Sequence, residues 1–284
     1  MQIVTCLLFS STSLLANAFG ASSSKMSLAL SKSVPTQSLS TGQKIPALGL
    51  GTYRSSPGPS TEQAVLWAFE AGYRHVDTAA IYGNEADVGS ALAKCGLPRS
   101  EIFVTTKLWN SRHGDVEAAC RESLRKLQTE YLDLYLMHSP LSRLRVSAWK
   151  EMLRLQEEGL CRTVGVSNFG EHHLRELEEA GLPLPAVNQI EVHPFLQRRE
   201  LVAYCQAKGI LVQAYSPLAK AERLDDPRLR AVADRVARTP AQVLIRWSLQ
   251  KGLNCIPKSV SQARIAANFQ VWDWELDGAA MAAL

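Results

Sequence analysis

Strand-like runs alternate with helical segments along most of the chain, and this alternation constrains the fold more than any other feature. The predicted strands lie at residues 48–53, 74–78, 102–108, 131–138, 162–166, 186–191, 210–215 and 255–258. The predicted helices lie at residues 61–71, 85–94, 116–127, 146–158, 171–180, 198–208, 228–237, 241–250 and 261–268. Strands that alternate with helices of this length pair in parallel. The sequence therefore predicts an α/β fold.

A closed barrel fits the pattern better than an open, doubly wound sheet. The segment Gly49-Leu50-Gly51-Thr52 lacks the third glycine of a dinucleotide-binding turn, and Pro57 and Pro59 delay the next helix. Eight strand units and a length of about 250 residues after the N-terminal segment are typical of a (β/α)8 TIM barrel. Residues 37–40 and 44–48 predict a β-hairpin around Thr41-Gly42 that covers the barrel floor.

Glycines stand where several predicted helices should end, as residues that close a helix in the left-handed conformation do. They are Gly72, Gly96, Gly159, Gly181, Gly209 and Gly252.

Composition and charge exclude several classes of protein. The hydrophobic content of 46% is sufficient for a large core, and a formal charge of +4 is too small to indicate nucleic-acid binding. The sequence has no zinc-type cysteine pairs, so no metal is expected. The cysteines from Cys95 onward are odd in number and scattered without close pairing, which favours a reducing compartment. A catalytic cysteine is the alternative, but none lies in a nucleophile motif.

Residues 1–36 are interpreted as a targeting presequence or disordered segment, and residues 37–284 as the barrel domain. An apolar stretch from Ile3 to Leu15, too short to span a membrane, precedes an A-x-A-like cleavage site at Ala16-Asn17-Ala18. The following serine-rich segment has no acidic residue before Glu62. This order resembles the two-part presequences of secondary plastids, so a plastid location is expected. A secreted protein and a cytoplasmic one with a disordered extension are the alternatives.

Four residues at the ends of three successive predicted strands together suggest proton delivery. They are Asp77, Tyr82, Lys107 and His138. A phenol has a pKa of about 10, and a neighbouring lysine would lower it towards neutrality. Asp77 could hold that lysine charged and oriented, and His138 could orient the oxygen that accepts the proton. Any one of these residues alone could be a polar strand end without function.

Longer motifs carry a family resemblance. They are Ala71-Gly72-Tyr73-Arg74-His75-Val76-Asp77-Thr78-Ala79, Tyr82-Gly83-Asn84-Glu85, Leu132-Asp133-Leu134-Tyr135-Leu136-Met137-His138-Ser139-Pro140, Gly165-Val166-Ser167-Asn168-Phe169, Asn188-Gln189-Ile190-Glu191-Val192-His193-Pro194, Ala214-Tyr215-Ser216-Pro217-Leu218 and Ile256-Pro257-Lys258-Ser259. The chain resembles the aldo-keto reductases from about residue 45 to about residue 276.

The resemblance implies NADPH as the cofactor and assigns roles to specific positions. Tyr215 would stack on the nicotinamide, and Ser167, Asn168 and Gln189 would bond its carboxamide. The remaining expected cofactor contacts are Thr52, Ser216, Leu218, Lys258, Ser259, Arg264 and Asn268. Lys258, Ser259 and Arg264 surround the start of the last predicted helix, which suits a 2′-phosphate. Asn268 would share the Arg264 helix face and meet the adenine, although Ala267 replaces an acidic residue common in the family.

The expected reaction transfers hydride to a carbonyl carbon while Tyr82 protonates the oxygen and Lys107 and His138 stabilise its charge. Tyr53, Trp109 and His138 are expected to contact a small-molecule carbonyl substrate. The chain ends soon after the last predicted helix and has Ser139 where many members have tryptophan. These features predict an open pocket for small aldehydes, dicarbonyls or sugar-derived ketones.

A monomer without nucleic-acid or membrane partners is expected. The alternative function is a catalytically weak, NADPH-binding regulatory subunit that uses the same barrel. The complete set of four catalytic residues favours the enzyme, since the fold alone does not decide function.

Overall fold

The computed structural model describes residues 34–284, so nearly all of the predicted presequence lies outside the described residues. The strands are β1 Thr36–Ser38, β2 Lys44–Pro46, β3 Leu50–Gly51, β4 His75–Asp77, β5 Phe103–Leu108, β6 Leu134–Met137, β7 Val164–Ser167, β8 Val187–Glu191, β9 Leu211–Tyr215 and β10 Asn254–Cys255. The helices are α1 Pro59–Ala71, α2 Glu85–Lys94, α3 Val116–Leu127, α4 Arg145–Glu157, α5 Glu171–Glu179, α6 Arg199–Ala207, α7 Pro227–Arg235, α8 Pro240–Gln250, α9 Gln262–Phe269 and α10 Gly278–Ala283.

Strands β3 to β10 form one parallel sheet in chain order, and hydrogen bonds join its two edges. The amide of Gly49 donates to the Cys255 carbonyl at 2.9 Å, and the amide of Gly51 donates to the Pro257 carbonyl at 3.0 Å. A Cβ at Gly51 would lie only 2.8 Å from the Ile256 carbonyl oxygen, so a larger residue would disrupt the closure. The predicted TIM barrel is confirmed.

The N-terminal hairpin covers the floor of this barrel. Strands β1 and β2 pair antiparallel, with Gln37 opposite Ile45. Ile45 is fully buried in a cluster that includes Phe103 and Leu134, which begin β5 and β6. The Gln37 side chain donates to the Gly252 carbonyl at 2.9 Å, just before β10. The predicted hairpin therefore caps the amino-terminal ends of the strands.

Side chains alternate between the two faces of each strand, and this alternation divides the core in two. Between the sheet and the helices lies an apolar layer that includes the buried Trp149 and Trp247. The side chains that point into the barrel change from apolar at the floor to polar at the upper end. On β5, Phe103 at the floor is followed two residues at a time by Thr105 and the fully buried Lys107. The sequence thus places polar side chains at the upper end of the barrel.

Helix ends agree with the predicted glycines, each of which has a positive φ, between 67° and 108°. Several strands are shorter than predicted, among them β3 and β6, and one helix was not predicted. Strand β10 ends at Cys255 instead of Lys258, because Pro257 has no amide hydrogen to continue the ladder. Helix α10 was not predicted; its N-terminus is capped by Asp277, whose carboxylate accepts from the Ala280 amide at 2.7 Å.

Two cysteines that are distant in the sequence are neighbours in the structure, although all five from Cys95 onward are free. The sulfurs of Cys120 on α3 and Cys161 before β7 lie 3.7 Å apart, although 41 residues separate them. Barrel packing brings α3 against the strands, which sequence spacing does not reveal. Among residues 34–284, no helix is long and apolar enough to cross a membrane.

Candidate active site

Parallel pairing brings the four predicted catalytic residues to one end of the barrel. Asp77 ends β4, Lys107 lies on β5, and His138 directly follows β6. Tyr82 ends a 3-10 turn, Ala80–Tyr82, that follows β4. Since β4, β5 and β6 are neighbours in the sheet, their carboxyl ends converge.

The Lys107 ammonium group is the centre of this arrangement. It donates to Asp77 Oδ1 at 2.5 Å, to the Thr78 carbonyl at 2.7 Å and to the Tyr82 hydroxyl at 3.4 Å. An ammonium has three donors, so all of them are used. The lysine side chain is 0% exposed and that of Asp77 is 3% exposed. Lys107 therefore cannot move independently of Asp77 and Tyr82.

Burial dominates the protonation of the three groups. It lowers the pKa of Lys107 and raises the pKa of Asp77, while the attraction between the two charges opposes both shifts. The pKa of Tyr82 is raised well above its ordinary value, first by burial and then by the Asp77 charge. The expectation that Lys107 lowers this pKa is wrong, because burial of the phenol and then the Asp77 charge raise it.

His138 is neutral and lies edge-on to two aromatic rings. Burial, and then the Lys107 charge, lowers its pKa to about 3. Its ring centroid lies 5.7 Å from that of Tyr82 and 5.0 Å from that of Trp109, with nearly perpendicular planes. A neutral imidazole can donate one hydrogen bond to a substrate oxygen beside the phenol.

The predicted substrate residues surround the Tyr82 hydroxyl at the barrel mouth. The Tyr53 ring lies 5.1 Å from the Tyr82 ring and is 53% exposed. Trp109 contacts His138 on the other side. Tyr53, Trp109 and His138 are therefore brought together with Tyr82 in one group of aromatic rings.

A second group of predicted residues lies next to His138, where β7, β8 and β9 end. Asn168 Nδ2 donates to the His138 carbonyl at 3.0 Å, and the Tyr215 hydroxyl donates to Asn168 Oδ1 at 3.0 Å. The Ser167 hydroxyl donates to the Gln189 carbonyl at 2.8 Å. These bonds hold Ser167, Asn168, Gln189 and Tyr215 as one unit.

The predicted phosphate residues meet where α9 begins. Arg264 is exposed and Lys258 half-buried. Burial lowers the pKa of Lys258, and the Arg264 charge lowers it further. The Ser259 hydroxyl accepts from the Ser261 amide at 3.2 Å. Asn268 is only 5% exposed, on the side of α9 that also buries Ile265, so it does not share the exposure of Arg264.

Three other predicted cofactor positions lie near the mouth. Thr52 is buried and its hydroxyl donates to the Asp77 carbonyl at 3.0 Å. Ser216 has a φ of 46° and opens the loop after β9, in which Leu218 is partly buried. Residues Ala219 to Ala221 continue this loop, all with positive φ. Non-glycine residues pay a steric penalty there, and such strain often marks functional loops.

Sequence reasoning missed two residues that shape the site. Asn84 is fully buried, and its amide donates to the carbonyls of Thr52 and Ser55 at 3.0 and 3.2 Å. Its place in the quoted Tyr82 motif was the available signal. Arg54 has a φ of 58°, and its guanidinium lies 5.4 Å from the Tyr53 ring centroid. Within residues 34–284 it forms no ion pair, so it can meet an anion.

Comparison with known proteins identifies the family. The model of the Aldo/keto reductase family matches residues 47–284. The chain belongs to this family.

Individual relatives of this aldo/keto reductase agree in length and fold. Methylglyoxal reductase DkgA of Escherichia coli (strain K12) is 47% identical over 235 residues, covering 81% of this chain and 85% of the relative. Aldo-keto reductase family 1 member A1 of Sus scrofa is 42% identical over 264 residues, covering 80% and 81%. The crystal structure of an aldo/keto reductase from Brucella melitensis has a TM-score of 0.85, with 42% identity and coverage of 88% and 96%.

The family membership and the four residues at the barrel mouth agree with each other. The chain is an oxidoreductase that reduces small carbonyl compounds. These relatives give no support to the alternative of a regulatory subunit. The structure of a Bombyx mori aldo-keto reductase in complex with NADP has a TM-score of 0.83, with 39% identity and coverage of 88% of this chain and 91% of that chain.

Proposed function

We propose that this aldo/keto reductase uses NADPH to reduce small aldehydes and dicarbonyls, with Tyr82 as the general acid. The observation that carries the proposal is the position of the Lys107 ammonium between Asp77 Oδ1 and the Tyr82 hydroxyl, at 2.5 and 3.4 Å. A lysine held in this way has no free donor for solvent and is oriented towards the phenol.

Each residue at the barrel mouth has a separate role in the reaction. Bound NADPH supplies the hydride. The substrate oxygen accepts a proton from the Tyr82 hydroxyl and a hydrogen bond from the neutral His138 imidazole. Lys107 stabilises the negative charge that remains on the phenolate, and its charge acts strongly because the site is buried. Asp77 keeps Lys107 in place.

The raised pKa of Tyr82 fits reduction better than oxidation. A phenol whose pKa lies above 10 stays protonated at neutral pH and can donate. The reverse reaction needs a phenolate to accept the proton from an alcohol. Tyr82 is therefore in the protonation state that carbonyl reduction requires.

The two cations at the N-terminus of α9 support NADPH over NADH as the cofactor. The Arg264 charge lowers the pKa of Lys258, and within residues 34–284 neither side chain forms an ion pair. Two neighbouring cations without a counterion repel each other, and a 2′-phosphate would relieve that repulsion. NADH lacks this phosphate.

The open mouth supports small, reactive carbonyls as substrates. Tyr53 is 53% exposed in front of Tyr82, so a long substrate tail would gain little burial there. The Escherichia coli relative is named for methylglyoxal, a three-carbon dicarbonyl. We include methylglyoxal in the proposed substrate class on this basis.

The test is NADPH consumption by the purified full-length chain with methylglyoxal and a panel of small aldehydes. We expect oxidation of NADPH with several of these carbonyls, and much slower oxidation when NADH replaces NADPH. Tight NADPH binding without consumption on any carbonyl would contradict the proposal and favour the regulatory subunit.

Oligomeric state and location are part of the same proposal. A monomer should sediment at the chain mass of 31.2 kDa. The first 36 residues, fused to a fluorescent protein, should direct it to plastids. A dimer in the first experiment, or cytoplasmic or secreted fluorescence in the second, would refute the respective statement.

A further inference from the structure

Three side-chain amides form a row inside the barrel, below the Asp77–Lys107 pair. They belong to Gln189 on β8, Gln213 on β9 and Asn254 on β10, which are adjacent strands. Gln189 Nε2 donates to Gln213 Oε1 at 2.5 Å, and Gln213 Nε2 donates to Asn254 Oδ1 at 2.8 Å. Gln213 and Asn254 are 0% exposed and Gln189 is 2% exposed, so water does not compete for these bonds.

The lower end of the row has a fixed direction. Asn254 Nδ2 donates to the Pro46 carbonyl at 2.7 Å and to Gln37 Oε1 at 3.1 Å. A backbone carbonyl can only accept, so the Asn254 NH2 group must face the hairpin. Its oxygen then faces Gln213, which must donate.

The upper end has the same constraint. Gln189 Nε2 also donates to Asp77 Oδ2 at 2.7 Å, and a carboxylate can only accept. With acceptors at both ends, rotating the Gln213 amide by 180° would oppose oxygen to oxygen at Asn254 and NH2 to NH2 at Gln189. Within residues 34–284, Gln189 Oε1 accepts no hydrogen bond. The row therefore leaves this oxygen available as an acceptor.

We propose that Gln213 is a positioning residue that orients the Gln189 amide, so that Gln189 Oε1 accepts a hydrogen bond from the nicotinamide carboxamide NH2. This inference rests on the proposed function, in which Gln189 contacts the carboxamide. Gln213 itself touches neither the cofactor nor the substrate. It acts by holding the Gln189 NH2 group against Asp77 and away from the cofactor.

The test compares binding of NADP⁺ with binding of its 3-acetylpyridine analogue, in which a methyl group replaces the carboxamide NH2. Both dissociation constants are measured by tryptophan fluorescence on the full-length chain. Wild type should bind the analogue about five- to tenfold more weakly, the loss expected for one hydrogen bond. Gln213→Met keeps a side chain of similar length but removes the hydrogen bonds to Gln189 and Asn254. The ratio of the dissociation constant of the analogue to that of NADP⁺ should therefore fall to about twofold or less.

Two variants separate positioning from general damage to the barrel. Asn188 is a buried amide on β8 next to Gln189, but it donates to the Phe169 carbonyl at 2.9 Å and has no bond to the row. Asn188→Leu should therefore lower the melting temperature and keep the wild-type ratio. Asn254→Leu removes the acceptor of Gln213 and should lower the ratio in the same direction as Gln213→Met. If Gln213→Met does not fold, Asn254→Leu is used as the test instead.

Two results would overturn the inference. One is that folded Gln213→Met keeps the wild-type ratio of the two dissociation constants. If Gln213→Met does not fold, the same result in Asn254→Leu would overturn the inference. The other is an equal loss of discrimination in Asn188→Leu, which would indicate general loosening of the barrel. Wild type that binds NADP⁺ without discriminating against the analogue would refute the Gln189 contact, and the inference with it. Wild type that does not bind NADP⁺ would instead refute the proposed function.

Discussion

Replacing Lys107 with Met should destabilise the protein strongly, because it leaves Asp77 buried without its cation. Both side chains of the pair are at most 3% exposed, and their charged atoms lie 2.5 Å apart. Removing one partner of a buried ion pair costs about 3–5 kcal/mol. For a domain of this size, 2–4 °C per kcal/mol gives a decrease in melting temperature of about 6–20 °C.

The pH dependence of this loss distinguishes buried charge from lost packing. Burial already raises the pKa of Asp77, and only Lys107 and the hydrogen bonds oppose it. Without Lys107 the folded-state pKa rises further above the unfolded value of about 3.9. A raised pKa means that stability falls as pH rises from the unfolded to the folded pKa. The deficit of the variant should therefore be small in acid and larger at neutral pH.

The assay is thermal unfolding of wild type and variants at a series of pH values. Lys208→Met is the matched control, because Lys208 and Glu178 are also 2.5 Å apart but lie on the surface, with side chains 37% and 42% exposed. Its melting temperature should hardly change. The double variant Asp77→Leu/Lys107→Met should regain stability without regaining activity. A Lys107→Met variant as stable as wild type, or a deficit independent of pH, would refute this reasoning.

Three further predictions concern the cofactor, the pH profile and the substrate. Arg264→Ala should raise the dissociation constant of NADPH by about tenfold and leave that of NADH nearly unchanged; equal losses would remove Arg264 from the phosphate site. Since the pKa of His138 is about 3 and that of Tyr82 is raised, kcat/KM should be flat from about pH 5 to pH 9; an inflection near pH 6.5 would mean that His138 titrates. Because Tyr53 is 53% exposed, kcat/KM for aldehydes of three to ten carbons should depend only weakly on chain length. A rise of about tenfold for every two methylenes, at about 0.8 kcal/mol each, would instead indicate a closed apolar pocket.

The fold was largely predictable because its signals are local. Period-two runs and glycines such as Gly72 mark strands and helix ends within a few residues of sequence. The motif around Tyr82 and the strand end at His138 were equally local. Parallel pairing then forces Asp77 and Lys107 together, which makes their ion pair an expected result.

Other features depend on closure of the barrel, which no local pattern shows. Gln213 and Asn254 are polar residues that become buried only because β9 and β10 lie side by side, 41 residues apart. Asn254 meets Gln37 across 217 residues. The raised pKa of Tyr82 was also missed, since burial and the distance to Asp77 decide it. The sequence therefore indicated which groups come together, but the directions of their pKa shifts could be read only from the structure.

The most direct test of Tyr82 as the proton donor is a single-turnover measurement with Tyr82→Phe. Enzyme saturated with NADPH is mixed with methylglyoxal, and the loss of NADPH absorbance gives the rate of hydride transfer. Removing a general acid should slow this step by about 10²–10⁴-fold, while the dissociation constant of NADPH stays within about twofold of wild type. A rate within tenfold of wild type would show that another group protonates the substrate oxygen.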